Sequence, residues 1–332
     1  MLPALVFHGQ ARVEWLSATH DFGAFSEDAG PATAVFRGVN TGNEPLVIVG
    51  ARANCGCTTP RYDLTAVAPG DTVSLQVAYD PAGRPGRFSK KIYVDTNTDP
   101  ARSTLTIKGV VIGAAATVGQ RFPVDMGPLK LSKPTALLGM AKKGHVKSVF
   151  LTGYNQSADT IAPQVTDAPR WLSVKAAPQA VGPGEQVSLS FFVSPDRTPL
   201  YGLVTDTVTV TPVPGGQSYR LPVAVTINED FDALTDAQLA KSPAATLSAT
   251  LLNLDQAATL TLRNDGKTPL TVRRLYTTDP GLTVTAKDTK IKPGKHTVIT
   301  VTANADGPVN AKVILITNDP LNPTQTIRVV KS

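Results

Sequence analysis

The sequence predicts an all-β chain built of three tandem sandwich domains, and three observations predict it. Asn40, Gly42, Pro45, Leu46, Pro69 and Gly70 return 224 residues later as Asn264, Gly266, Pro269, Leu270, Pro293 and Gly294. Six matches in one register, all at turn residues or strand starts, are a repeat of architecture. A fainter copy lies between them, with Pro183-Gly184-Glu185 standing where Pro69-Gly70-Asp71 stands. The three Pro-Gly turns divide 332 residues into units the size of one sandwich domain, each large enough to bury its own core. Threonine and valine are abundant, 27 Pro and 26 Gly punctuate the chain, and long periodic apolar helices are lacking.

Residues 12–114 form the first unit. Val13-Glu14-Trp15-Leu16 reads as a short strand, and His20-Asp21-Phe22-Gly23 leads to a turn at Glu27-Asp28-Ala29-Gly30. The strand Val35 to Val39 ends at the Asn40-Thr-Gly42 turn, where Gly42 and Asn43 suit a positive φ. Leu46 to Val49 reads as a continuous apolar strand running into Asn54-Cys55-Gly56-Cys57-Thr58. After Pro69-Gly70, Val73, Leu75, Val77 and Tyr79 alternate with polar residues, the mark of a half-buried strand. Phe88 to Val94 and Thr104 to Val111 follow, joined through Thr96-Asn97-Thr98-Asp99-Pro100. About seven short strands, with turn signals every 8–12 residues or so, point to the immunoglobulin-like sandwich.

Residues 115–228 repeat the pattern, with Val187, Leu189, Phe191 and Val193 alternating and Gly215-Gly216 making a hairpin. The first half of this unit is less regular, and Trp171 there is a core anchor. Residues 229–243 read as a short helical linker: Thr235 and Gln238 form a capping box, and Pro243 ends the helix. Leu234 and Leu239 are expected to dock on a neighbouring domain. Residues 244–332 form the third unit, where Thr317-Asn318-Asp319-Pro320 echoes Thr96 to Pro100.

Residues 1–11 contain Leu2-Pro-Ala-Leu-Val-Phe7 and then Gly9-Gln10-Ala11, with small residues where a signal cleavage site has them. They read as the remnant of a signal peptide, the alternative being an ordinary first strand. No run is long enough to span a bilayer. The expected location is periplasmic, at the cell surface, or secreted.

The net charge is +6 with a pI near 9.3. The basic residues are scattered, with no block of five and no interleaved aromatic platform, so they read as solvated surface and not as a nucleic-acid site. Two cysteines in the whole chain, two residues apart, make no disulfide framework, and no second pair completes a zinc site. In an extended strand, residues two apart share a face at the outer limit for a disulfide, and Gly56 can shorten the distance. Cys55 and Cys57 are therefore candidates for a reducible bond, for soft-metal ligands, or for a pair that only pins a loop. The corresponding positions are Pro169 and Trp171 in the second unit and Asp279 and Gly281 in the third, so the scaffold closes this corner elsewhere without cysteine.

His20 beside Asp21 reads as a strand-entry pair, and no histidine stands at metal-ligand spacing from another candidate ligand. No phosphate loop, nucleophile elbow or paired catalytic carboxylates appear. No catalytic residue, metal or cofactor is expected.

The first unit resembles a bacterial family of unknown function. The marks are His20-Asp21-Phe22-Gly23, Asn40-Thr-Gly42-Asn-Glu-Pro45-Leu46, Asn54-Cys55-Gly56-Cys57-Thr58, Pro69-Gly70, Gly86-Arg87-Phe88 and Ile107-Lys108-Gly109-Val110. That family comprises secreted or envelope Ig-like proteins common in Bacteroidetes, similar in fold to ASH, Hydin and major sperm protein sandwiches. The resemblance implies no established activity. The reading that follows is a non-enzymatic envelope or extracellular structural or binding protein, with an unidentified protein or glycan partner engaged through strand edges and inter-domain clefts. The alternative is a thiol-redox or soft-metal protein acting through Cys55 and Cys57, and a third is a basic adaptor for anionic envelope polymers.

Overall fold

The computed structural model describes residues 9–304 and 307–331. Most of the segment read as a signal remnant, residues 1–8, lies outside the described residues. Gln10 and Ala11 belong to the first sandwich: Ala11 is buried in its core, and Gln10 exchanges hydrogen bonds with Asn43. This sandwich therefore begins before Arg12.

Its strands are β1 (Val13–Trp15), β2 (Thr19–Ser26), β3 (Ala32–Asn40), β4 (Ile48–Ala53), β5 (Thr58–Tyr62), β6 (Thr72–Tyr79), β7 (Gly86–Thr96) and β8 (Arg102–Ile112). They form two four-stranded sheets, β1-β3-β6-β5 and β2-β8-β7-β4. The first strand of the fold is split: β1 pairs antiparallel with β3, and β2 crosses to the other sheet to lie parallel to β8. Leu75, Val77, Ile92, Val94, Leu105 and Ile107 meet between the sheets, fully buried. Each contributes about 1.5–3 kcal/mol of apolar burial. Leu46 makes an isolated bridge with Val67, so the strand read as starting at Leu46 begins at Ile48.

A helix the sequence did not suggest, α1 (Ala115–Arg121), joins the first sandwich to the second. Its N-terminal amides are capped from far away, because Ala114 N–H donates to Glu27 and Ala115 N–H to Asp28. Val118 and Phe122 pack with Ile112 and Tyr154 in a small core between the two domains. The second sandwich comprises β9 (Val124–Met126), β10 (Leu129–Leu131), β11 (Ala136–Lys142), β12 (Lys147–Asn155), β13 (Gln164–Thr166), β14 (Leu172–Ala177), β15 (Gln186–Val193), β16 (Gly202–Thr211) and β17 (Tyr219–Asn228). Its sheets are β14-β15-β12-β10-β9 and β11-β17-β16-β13. Trp171 is buried in this core.

The linker helix α2 (Asp236–Leu239) carries the expected capping box between Thr235 and Gln238. The expected docking of its leucines is not seen. Leu234 and Leu239 are half-buried, and no residue of α2 is buried. Ion pairs hold the segment at its start instead: Glu229 with Arg273, and Asp230 and Asp232 with Lys142. The third sandwich follows with β18 (Ala245–Leu247), β19 (Leu251–Asn253), β20 (Ala257–Asn264), β21 (Leu270–Thr277), β22 (Leu282–Ala286), β23 (Lys290–Ile291), β24 (His296–Ala303), β25 (Val309–Thr317) and β26 (Thr324–Lys331). Its sheets are β18-β20-β24-β22 and β19-β26-β25-β21-β23. Arg274 ties it to the second sandwich by donating to the carbonyls of Tyr201 and Leu203.

Candidate functional site

The repeated turn residues build one device three times. Asn40 and Asn264 are fully buried, and so is Asn155, which the sequence reading missed. The Asn40 Nδ2 donates to the carbonyls of Glu44 and Val67, and its Oδ1 accepts the N–H of Gly42. Asn264 does the same with Thr268, Ile291 and Gly266, and Asn155 with Asp159, Val181 and Ser157. In each copy the asparagine carbonyl accepts the N–H of the Pro-Gly glycine, Gly70, Gly184 or Gly294. These three glycines have positive φ.

Gly42 and Asn43 do not, contrary to expectation. Gly42 is required by crowding, since a β-carbon there would stand 2.3 Å from the carbonyl oxygen of Gln10. Gly266 is equally close to the carbonyl oxygen of Ser242. Pro45 and Pro269 start the next strand segments, and their carbonyls accept from Asn97 and Asn318. Pro69 and Pro293 precede the positive-φ glycines. All these residues hold strand ends together: the asparagines are buried, while Pro45, Pro69, Gly70, Pro269, Pro293 and Gly294 are exposed.

Cys55 and Cys57 are joined by a disulfide with their Cα atoms 5.4 Å apart. The bond sits on the rim of the first core, with Cys57 buried, Cys55 half-exposed and Gly56 exposed. The Thr58 Oγ1 lies 3.3 Å from the Cys55 sulfur. The corner itself is closed by main-chain bonds, Thr58 N–H to Cys55 O and Asp80 N–H to Cys57 O. The second sandwich makes the same two bonds from Leu172 to Pro169 and from Ser194 to Trp171. The third makes them from Leu282 to Asp279 and from Asn304 to Gly281. There an Asp279 carboxylate accepting the Gly281 N–H stands in for the covalent bond. No group of three or more His, Cys, Asp or Glu residues able to hold a metal occurs among the described residues.

His20 and Asp21 are not a catalytic pair. The His20 ring packs edge-on against Phe22, while Asp21 takes the Gly23 N–H and faces Lys108. Those partners, the Gly23 hydrogen bond foremost, hold the Asp21 carboxyl below its usual range.

An apolar seam runs along one side of the second sandwich. β10 pairs with only the last three residues of β12, Gly153 to Asn155, and then crosses to the other sheet through residues 132–135. Ser132 N–H makes the last bond, to Thr152 O, and Pro134 has no N–H to continue the ladder. Residues 147–151 of β12 therefore have a strand partner, β15, on one side only. β11 is the edge strand of the opposite sheet. Between them lies a cavity of about 340 Å³ with Leu138, Val149, Leu151 and Phe191 inside. Its lips are Leu137 and Phe150, both 72% exposed. Lys133 stands at one end of the seam. At the other, Lys147 donates to the carbonyl of Met140, itself 66% exposed. A second hollow of about 420 Å³ continues past Met140 to Lys142 and His145.

The other sandwiches supply an internal comparison. Leu16 N–H to Arg37 O and Ser248 N–H to Thr261 O repeat the bond from Ser132 to Thr152, which aligns Val35 and Thr259 with Phe150. The middle sandwich alone puts an aromatic ring at that position. The sequence signal was the run Val149-Phe150-Leu151, where Phe150 sits on the outward phase of an inward-alternating strand.

Residues 13–111 match the model of DUF1573, a protein family of unknown function. Residues 250–331 match the HYDIN/CFA65/VesB-like Ig-like domain. The DUF1573 match covers the first sandwich with its Cys55–Cys57 corner, and the Hydin-like match covers most of the third. A solved protein of unknown function from Porphyromonas gingivalis is 24% identical, with 62% of this chain and 100% of that chain covered and a TM-score of 0.46. An endo-fucoidan hydrolase of glycoside hydrolase family 107 is 15% identical over 91% of this chain and 41% of that chain, at a TM-score of 0.30. The VesB protease of Vibrio cholerae is 16% identical over 30% of this chain and 32% of that chain, at a TM-score of 0.26. No curated protein matches the chain.

Proposed function

We propose that this chain is a non-catalytic binding protein of the bacterial envelope or exterior, engaging a protein or glycan partner through the surfaces its tandem sandwiches leave open. The observation that carries the reading is the seam of the second sandwich, where Leu137, Met140 and Phe150 stand in water beside an uncompleted sheet edge. Exposed apolar residues clustered on a strand edge are a liability unless a partner covers them. A closed Cys55–Cys57 bond supports the location, since disulfides persist in oxidising compartments such as the periplasm or the exterior.

A second reading, thiol–disulfide exchange at Cys55–Cys57, is favoured by one observation: two other corners of the same fold close without a covalent bond. In that reaction a partner thiolate would attack the half-exposed Cys55 sulfur, forming a mixed disulfide and releasing Cys57 as the thiolate.

The test is affinity capture from an envelope extract with the wild-type chain and with the Cys55→Ser, Cys57→Ser double variant. The binding reading expects the same partner on both. A partner that is lost with the cysteines, and whose own disulfide is attacked by the lone Cys55 thiolate of Cys57→Ser, releasing one partner thiolate and leaving a trapped mixed disulfide, overturns it in favour of exchange chemistry.

A further inference from the structure

We infer that the seam of the second sandwich is a strand-addition site for an extended, apolar peptide with acidic flanks. The inference rests on the binding reading above and names the occupant. The geometry points to an added strand because β10 begins a partnership with β12 and abandons it. Leu129, Lys130 and Leu131 pair with Asn155, Tyr154 and Gly153, and beyond Thr152 the same edge continues without a partner strand. A peptide laid antiparallel on residues 147–151 of β12 completes the row that β10 leaves at Ser132. Strand addition supplies main-chain bonds, and alternate side chains supply specificity. Every second side chain of such a peptide would point between the sheets, toward Leu138, Val149, Leu151 and Phe191. The intervening ones would lie on the outer face beside Phe150.

Charge selects among occupants. The cavity and its continuation are lined by Lys133, Lys142, His145 and Lys147, and no carboxylate lines either one. Neither Lys133 nor Lys147 is paired with a carboxylate among the described ion pairs. Lys142 is neutralised by Asp232 and Asp230, and His145 faces Asp230, so the unneutralised cations are at the two ends of the apolar floor. A second copy of this chain, seam to seam, would oppose lysine to lysine. A strand with acidic residues before and after its apolar core would neutralise both ends.

The probe is an acetylated nonapeptide in which three valines alternate with threonines between paired aspartates, set against the same peptide with lysines for aspartates. Binding to the full chain is followed by fluorescence anisotropy at low salt, and amide protection by hydrogen exchange. The acidic peptide is expected to bind at least about tenfold tighter than the basic one and to protect amides within residues 147–151. Phe150→Asp and Leu137→Asp should each weaken it about tenfold or more, while Val35→Asp in the first sandwich leaves it unchanged. These positions are exposed, so the variants fold, which a thermal melt verifies.

Equal binding of the two peptides, no effect of Phe150→Asp, or no binding of the acidic peptide up to about 1 mM overturns the inference. If in those cases the envelope partner is still captured by Phe150→Asp, the binding reading survives and only the seam is wrong. If no partner is captured by the wild-type chain either, both fail together.

Discussion

Gly42 lies against Gln10 so closely that a β-carbon on it would stand 2.3 Å from the Gln10 carbonyl oxygen and 2.6 Å from the Arg12 nitrogen. The obstacle is backbone held in place by the Asn40 clamp, so it cannot swing aside as a side chain would. Gly42→Ala is expected to destabilise the first sandwich by about 1–3 kcal/mol through overpacking. Gly56→Ala, where no atom lies within 4 Å and φ is not positive, should fall within about 0.5 kcal/mol of wild type. Urea-dependent hydrogen exchange of peptides from residues 92–112 reads both variants, and equal losses would refute the steric account.

Asn155 is the middle copy of the clamp, and its Nδ2 serves three carbonyls, those of Asp159, Val181 and Gly182. Asn155→Ala leaves buried acceptors and the Ser157 N–H without their partner, an expected loss of about 2–4 kcal/mol in the second sandwich. Asn155→Asp keeps the volume but turns a carboxylate toward carbonyl oxygens, so it should not restore stability at neutral pH. Full recovery by aspartate would mean that shape, and not donation, is what the site needs.

That asparagine also marks where the sequence stops being readable. Around Asn40 and Asn264 the clamp leaves letters behind, because a crossing backbone demands Gly42 and Gly266, and Pro45 and Pro269 start the next segments. At Asn155 a serine, Ser157, takes the glycine's place and no proline follows before Ile161, so only Pro183-Gly184 betrayed the repeat. The helix α1 was illegible for another reason: its caps, Glu27 and Asp28, are 87 residues away in sequence. The cysteine corner was placed correctly against Pro169 and Asp279, since its bonds are local. The seam was not visible because an edge is defined by the strand that fails to cover it, and alternation reports only which phase faces the core.

The Cys55–Cys57 bond closes a loop of three residues, so the chain-entropy gain from cross-linking the unfolded state is about 1.5 kcal/mol. The main-chain bonds of the corner persist without it, as they do at Pro169 and Asp279. Cys55→Ser with Cys57→Ser should therefore cost the first sandwich about 1.5 kcal/mol or less and leave the other two unchanged. A loss above about 4 kcal/mol would make the bond an essential element of the fold and remove the argument that it is available for exchange.

Asp230 fastens the linker to the second sandwich. Its carboxylate accepts the Asp232 N–H and faces His145 at 2.9 Å and Lys142 at 3.6 Å. The Asp232 hydrogen bond first, then His145 and Lys142, hold its pKa below the ordinary aspartate value. A depressed folded-state pKa gives an attachment that is complete above the unfolded value near about 3.9 and is lost as pH falls through the lower folded one. Amides of residues 230–234, corrected for intrinsic rates, should therefore exchange faster at about pH 3 than at about pH 6. Asp230→Asn should exchange fast already at the higher pH and lose most of the pH dependence. A variant indistinguishable from wild type at both pH values would assign the attachment to the ion pair of Asp232 with Lys142 instead.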